Sequence, residues 1–275
     1  MRYGLIFLSI FFVFDCFGQN EKTEQPHGTL IFAMICSDGI IMASDSRMSF
    51  DDHSNNIDKT YAYFDRFKKI FSIGNFKIEM SGGSFIGNYF KGDLINRFNK
   101  ASIKSNDISQ TFNSFEKYIS KNYGLDTGKI FENKSECILA GYKNAAPLLI
   151  NLQTNNNFSQ NKFKGFITND DGFVPYMISH YRIASFTCNE MKTILDKVIY
   201  EYANYSGRIK IGGPLEIIQI KKDNSVIVLE SFQSQNFINY KVFLNSIIDN
   251  KIPVTYLYPY SRTKVVAEAK SLLVK

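Results

Sequence analysis

Thr29, Asp45, Arg47 and Lys69 are early side chains of types that could take part in hydrolysis. Thr29 follows Gly28 and opens the apolar stretch GTLIFAMICSDGIIMASDSRM, which ends in Asp45, Ser46 and Arg47; a lysine doublet, Lys68-Lys69, leads the next apolar run. A threonine hydroxyl is a weak nucleophile at neutral pH and needs a base beside it. At a chain N-terminus a threonine carries its own base, because the free α-amino group has an ordinary pKa of about 8. General-base help of this kind is worth roughly 10²–10⁴ in rate. That amine exists only after the Gly28–Thr29 bond is cut. Gly28 has no side chain to obstruct the strained backbone approach that an intramolecular N-to-O acyl shift requires. Buried beside the threonine, a lysine ammonium would push its neighbours toward reactive protonation states, whereas at a strand edge it would be one more solvated charge. Acyl transfer also builds negative charge on a carbonyl oxygen, where one backbone N–H aimed in advance contributes about 3 kcal/mol. Ser81-Gly82-Gly83 offers such a turn.

These residues need elements to hold them. Thr29–Cys36 and Ile40–Ala43 read as strands joined at Ser37-Asp38-Gly39, since Asp-Gly between β-branched runs signals a hairpin. Continued alternation along the second strand would put Asp45 and Arg47 on one face. Ser49 to Phe67 reads as an exposed polar loop. Strands follow at Lys69–Ile73 and Lys77–Met80, around Gly74-Asn75. Phe85, Phe90, Leu94 and Phe98 recur at helical spacing. A second helix carries Ile108, Phe112, Phe115, Tyr118 and Ile119, with a cap at Ser105-Asn106-Asp107 and an end near Gly124. Strands are then predicted at Cys137–Tyr142, Leu148–Leu152 and Phe163–Ile167, and helices at Pro175–Tyr181 and Asn189–Tyr202. The chain closes with strands Leu215–Ile220 and Val226–Glu230 and helices Tyr240–Ile248 and Thr263–Leu273. This order suits an α+β fold in which two antiparallel sheets pack face to face with helices outside each, an αββα sandwich. No repeat or linker divides it.

The opening stretch resembles that of the mature proteasome β-subunit and its bacterial relatives, the N-terminal-nucleophile (Ntn) threonine hydrolases. Gly28-Thr29, Asp38-Gly39, Asp45 and Arg47 match in order and spacing, and Lys68-Lys69-Ile70-Phe71-Ser72-Ile73 resembles the segment whose second lysine is catalytic. The resemblance implies Thr29 as a nucleophile freed by self-cleavage after Gly28, and Lys69 paired with Asp45. It further implies Arg47 in support of that charge network and the Gly82 N–H as an oxyanion hole. It implies the same four-layer αββα sandwich, with no metal and no cofactor. Two later family residues, a serine and an aspartate, have no counterpart. Thr168–Gly172 holds Asp170 and Asp171 without a serine, and the stretch before Gly212-Gly213 holds Tyr205, Ser206 and Arg208 without an aspartate. Ser206 is the nearest substitute.

The N-terminus has one arginine, Arg2, then the apolar run Leu5–Phe14 and Asp15-Cys16-Phe17-Gly18. This reads as a secretory signal over residues 1–18, too short to span a bilayer comfortably. Residues 19–28 read as a propeptide and 29–275 as the domain, secreted or periplasmic. Lipidation at Cys16 is disfavoured by Phe14 and Asp15, which stand where small residues are needed. Cys36, Cys137 and Cys188 make no disulfide framework and no metal spacing, and read as small buried hydrophobes. The net charge of +6 is spread along the chain, which argues against nucleic acid. The expected partner is a peptide or small amide substrate, with an oligomer of identical chains compatible and no membrane after signal removal. Two other readings remain: a non-catalytic Ntn-fold protein that keeps its propeptide, and a helix-free secreted β-sandwich binding module.

Overall fold

The computed structural model describes residues 29–52, 59–81, 85–86, 89–101, 105, 107–125, 137–152, 161–162, 165–181, 186–235, 237 and 239–274; Gly82 and residues 1–28, where a signal and a propeptide are expected, lie outside them. The first hairpin forms where its sequence signature stands. β1 (Ile31–Cys36) and β2 (Gly39–Ser44) pair antiparallel from Ile31↔Ser44 to Cys36↔Gly39. Gly39 opens β2, and a Cβ there would come within 2.8 Å of the Ile220 carbonyl oxygen, so close strand packing also requires the glycine.

The chain continues through β3 (Met48–Asp52), β4 (Lys59–Phe64), β5 (Ile70–Ile73), β6 (Phe76–Met80), β7 (Phe85–Ile86) and β8 (Tyr89–Phe90), then α1 (Lys91–Ala101) and α2 (Ile108–Tyr123). β9 (Cys137–Lys143), β10 (Ala146–Leu152), β11 (Asn161–Lys162) and β12 (Phe166–Thr168) precede α3 (Phe173–His180) and α4 (Cys188–Tyr205). β13 (Glu216–Ile220), β14 (Val226–Glu230), α5 (Tyr240–Ile248), β15 (Val254–Tyr256) and α6 (Ser261–Val274) complete it.

Two five-stranded sheets form the centre, in the orders β12-β1-β2-β13-β14 and β11-β10-β9-β6-β5. Strand alternation divides their side chains among three cores. Ile31, Ala33, Ile40 and Met42 of the first sheet meet Ile70, Ile138, Ala140 and Leu149 of the second. On the first sheet's outer face, Phe32 and Ile41 pack under Met177 of α3 and Leu195 and Val198 of α4. On the second sheet's outer face, Ile78 and Leu139 pack under Leu94 and Phe98 of α1 and Phe115 and Ile119 of α2, in a core that α5 and α6 extend. The fold is thus α+β, a four-layer αββα sandwich. Its helices exclude the helix-free module. Helix ends follow their local chemistry: Asp107 caps α2, Gly124 at φ 62° closes it, and Thr187 with Glu190 forms a capping box on α4.

Three expectations fail locally. Ser49–Phe67 is not a loop throughout, because β3 and β4 pair with each other and β4 also pairs with β15, some 190 residues on, a partner that local composition cannot reveal. The helix through Phe85 begins only at Lys91; Phe85–Ile86 and Tyr89–Phe90 pair with each other as short strands. The strand expected at Phe163–Ile167 is found at Phe166–Thr168, and residues 163–164 lie outside the described ones. Cys36, Cys137 and Cys188 are buried.

Candidate active site

Thr29 lies just ahead of β1 and is half-buried. The next residue is held by Asp45: the Leu30 N–H donates to Asp45 Oδ1 at 2.9 Å. Lys69 Nζ donates to that same oxygen at 2.6 Å. The other carboxylate oxygen accepts the N–H groups of Arg47 at 3.2 Å and Gly212 at 3.0 Å. One carboxylate thus gathers donors from four parts of the chain. Asp45 is 0% exposed and Lys69 4%, so the pair sits out of water, where its attraction is strong and where removing either ion strands the other. Burial pushes the Lys69 ammonium below its ordinary pKa, while Asp45 opposes the shift. A lysine so balanced exchanges a proton more readily than a solvated one.

Strand geometry explains how these groups are aimed. β2 ends at Ser44, and residues 45–47 form the crossing to β3, with Asp45 turning back onto the Arg47 N–H as an Asx turn. Asp45 and Arg47 are therefore not two positions on one strand face. The Arg47 guanidinium lies against Asp65, with Nε to Oδ1 at 2.8 Å and Nη2 to Oδ2 at 3.1 Å. It also donates to the Ile209 carbonyl at 2.8 Å and lies 3.7 Å over the Tyr63 ring. Burial works against its charge, but Asp65 outweighs burial and raises its pKa. Gly213, at φ +73°, permits this packing, since a Cβ there would fall 2.6 Å from Ser46 Oγ. The lysine doublet splits as alternation requires: Lys69 turns inward, and Lys68 pairs at 3.2 Å with Glu216.

The two later segments meet, with chemistry different from that expected. Asp170 is buried and forms an ion pair with Arg208; its other oxygen accepts the Tyr202 hydroxyl at 2.7 Å and the Gly172 N–H at 3.0 Å. Ser206 donates its hydroxyl to the Tyr202 carbonyl at 2.7 Å, closing α4 rather than reaching Thr29. The residue that does reach Thr29 is Asn169, which the sequence did not single out. Its Nδ2 donates to the Thr29 carbonyl at 2.6 Å, and its Oδ1 accepts the Ile31 N–H at 2.8 Å. The side chain thereby extends the β12–β1 ladder by one step beyond Phe32↔Thr168. Asn169→Ala leaves both backbone groups without this partner and should cost about 1–3 kcal/mol, read as a lower urea midpoint with an unchanged slope.

A second buried acid faces Lys69 from the sheet interface. Glu79 is 0% exposed, and neither of its oxygens has a hydrogen-bond partner. Burial raises its pKa well above the ordinary 4.5, and Glu216 adds to the rise, while the nearby Phe32 N–H and Lys69 oppose it. The folded protein therefore holds this proton at a pH where the unfolded chain has lost it. Stability falls as pH rises above the ordinary carboxyl range toward the folded value. Glu79→Leu should remove that loss and melt above wild type at pH 8, with the gap shrinking toward pH 4, for a gain of about 1–3 kcal/mol at the alkaline end. Thermal melts across pH would check it.

Among the described residues no group of three or more His, Cys, Asp or Glu side chains could hold a metal, and no helix is long and apolar enough to cross a membrane. No family model and no curated protein matches the chain. Comparison with solved structures finds the Anbu (Gly-1) mutant from Hyphomicrobium sp. strain MC1, with a TM-score of 0.48 and 11% identity over 90% of this chain and 96% of that one. The likeness is distant and concerns the fold.

Proposed function

We propose that this chain is an exported threonine hydrolase that cuts itself between Gly28 and Thr29 and then hydrolyses amide bonds. One observation carries the reading: the Lys69 ammonium and the amide that follows Thr29 share a single buried oxygen of Asp45. A nucleophile held there has a desolvated cation beside it, which favours the alkoxide forming on the Thr29 hydroxyl. In the first reaction Thr29 Oγ attacks the Gly28 carbonyl carbon, the peptide nitrogen leaves with a proton, and water hydrolyses the resulting ester. The freed α-amine then takes the hydroxyl proton when Thr29 attacks a substrate carbonyl. The substrate amine leaves protonated, and a second water releases the acid. Outside the cytoplasm no ATP is available to drive an unfoldase, so the reading favours a small amide or an already unfolded peptide.

The test is the intact mass of the protein purified from an exporting host. A chain beginning at Thr29 supports the reading. A chain that begins at Gln19 and stays so on long incubation overturns it and makes the protein a non-catalytic member of this fold.

A further inference from the structure

We propose that Cys36 and Cys188 form a disulfide joining the end of β1 to the start of α4, a bond in which Cys137 takes no part. Cys36 is the last residue of β1 and Cys188 the first of α4. The flanking chains are locked together: Cys188 N–H donates to Asp38 Oδ1 at 2.7 Å, and Ser37 donates its N–H at 2.9 Å and its hydroxyl at 3.2 Å to the Phe186 carbonyl. Cys36 shares the β1 face of Leu30, Phe32 and Met34, which is the face that α4 covers. The Cys36 thiol donates to the Met34 carbonyl at 4.0 Å and acts on the ionisation of the Cys188 thiol within that core. A disulfide there would be about 2.05 Å between sulfurs, and the hydrogen bonds at Ser37 and at the Cys188 N–H hold the two backbones side by side as it forms. Cys137 lies in the separate core beyond the second sheet, out of reach of either.

Cys36 and burial raise the Cys188 thiol pKa, so Cys188 holds little thiolate once packed and reacts slowly. The bond therefore forms as α4 docks, by exchange with a partner disulfide. One cysteine thiolate attacks that disulfide, and the second thiolate displaces the partner from the mixed intermediate. The two cysteines are oxidised, and the partner is reduced to a dithiol that takes up the two protons the cysteines gave up. Such a crosslink closes a long loop of the unfolded chain, so reducing it should lower the melting temperature by roughly 5–15 °C.

The experiment uses the full chain made in an exporting host. It is unfolded directly in urea with iodoacetamide and no reductant, digested and mapped by mass. A parallel sample made in a reducing cytoplasm is treated with diamide before unfolding. The expected result is Cys36 and Cys188 peptides linked with a loss of about 2 Da, and Cys137 alkylated. Linkage in the diamide sample alone still supports the pair and puts the fault in export. Alkylation of Cys36 and Cys188 in both samples, or a link that includes Cys137, overturns the proposal. None of these outcomes depends on whether Thr29 is a nucleophile.

Discussion

On the proposed reading, a chain with alanine at position 29 should stay joined to residues 19–28 and hydrolyse no amide, while folding as the wild type does. The structure separates these effects. Thr29 is half-buried, and its anchoring runs through its carbonyl, held by Asn169, and through the next N–H, held by Asp45. Both are backbone contacts that alanine keeps, so the melting temperature should move by only what ~1 kcal/mol allows. The chemistry has no such reserve, because removing the hydroxyl removes the group that forms the bond. Thr29→Ser supplies a hydroxyl again and should restore cutting at a reduced rate. Intact mass over time reads all three chains at once. An alanine chain that still begins at residue 29 would mean a host protease does the cutting.

If Thr29 is the proposed nucleophile, Lys69→Met should slow self-cleavage by roughly 10³-fold, since it deletes the buried cation that shares Asp45 Oδ1 with the Leu30 N–H while keeping most of the stem's volume. Its stability cost should be about 3 kcal/mol, at the low end for a broken buried pair. Asp45 retains three backbone donors, from Leu30, Arg47 and Gly212, to satisfy its charge. Asp45→Ala should be the worse of the two for folding, at about 5 kcal/mol or more, because three N–H groups and a buried ammonium lose their acceptor together. Urea titration orders the variants. A Lys69→Met chain that cuts at the wild-type rate would remove Lys69 from the chemistry.

Much of this was legible in short-range patterns. The hairpin dipeptide before Ile40, the caps at Asp107 and Gly124, and the helical face of α4 are local signals, and each element stands within three residues of where its pattern falls. β3 and β4 were hidden because their polar and aromatic residues become a sheet only through pairing with each other and, for β4, with β15. Within the site, Asp45 and Lys69 were marked by position in a family-like stretch, and the structure brings them together. Gly28 and Gly82 lie outside the described residues. Asn169 had no mark at all: in a chain rich in asparagine, one more before Asp170-Asp171-Gly172 reads as turn chemistry, and its partners lie 138 and 140 residues away. The Asp170–Arg208 pair was hidden for a similar reason, each half appearing as a departure in its own segment.

The reach of Asp45 sets a clock. Its farthest donor, Gly212, stands 167 residues down the chain, beyond all of the second sheet and the first four helices. A chain emerging from the ribosome N-terminus first therefore carries Thr29 for most of its synthesis with the neighbouring carboxylate unfinished, and closing so long a loop must await the sandwich itself. Scission before residue 29 would then be the last event of maturation, and the loss of ten residues a certificate that the fold had been completed.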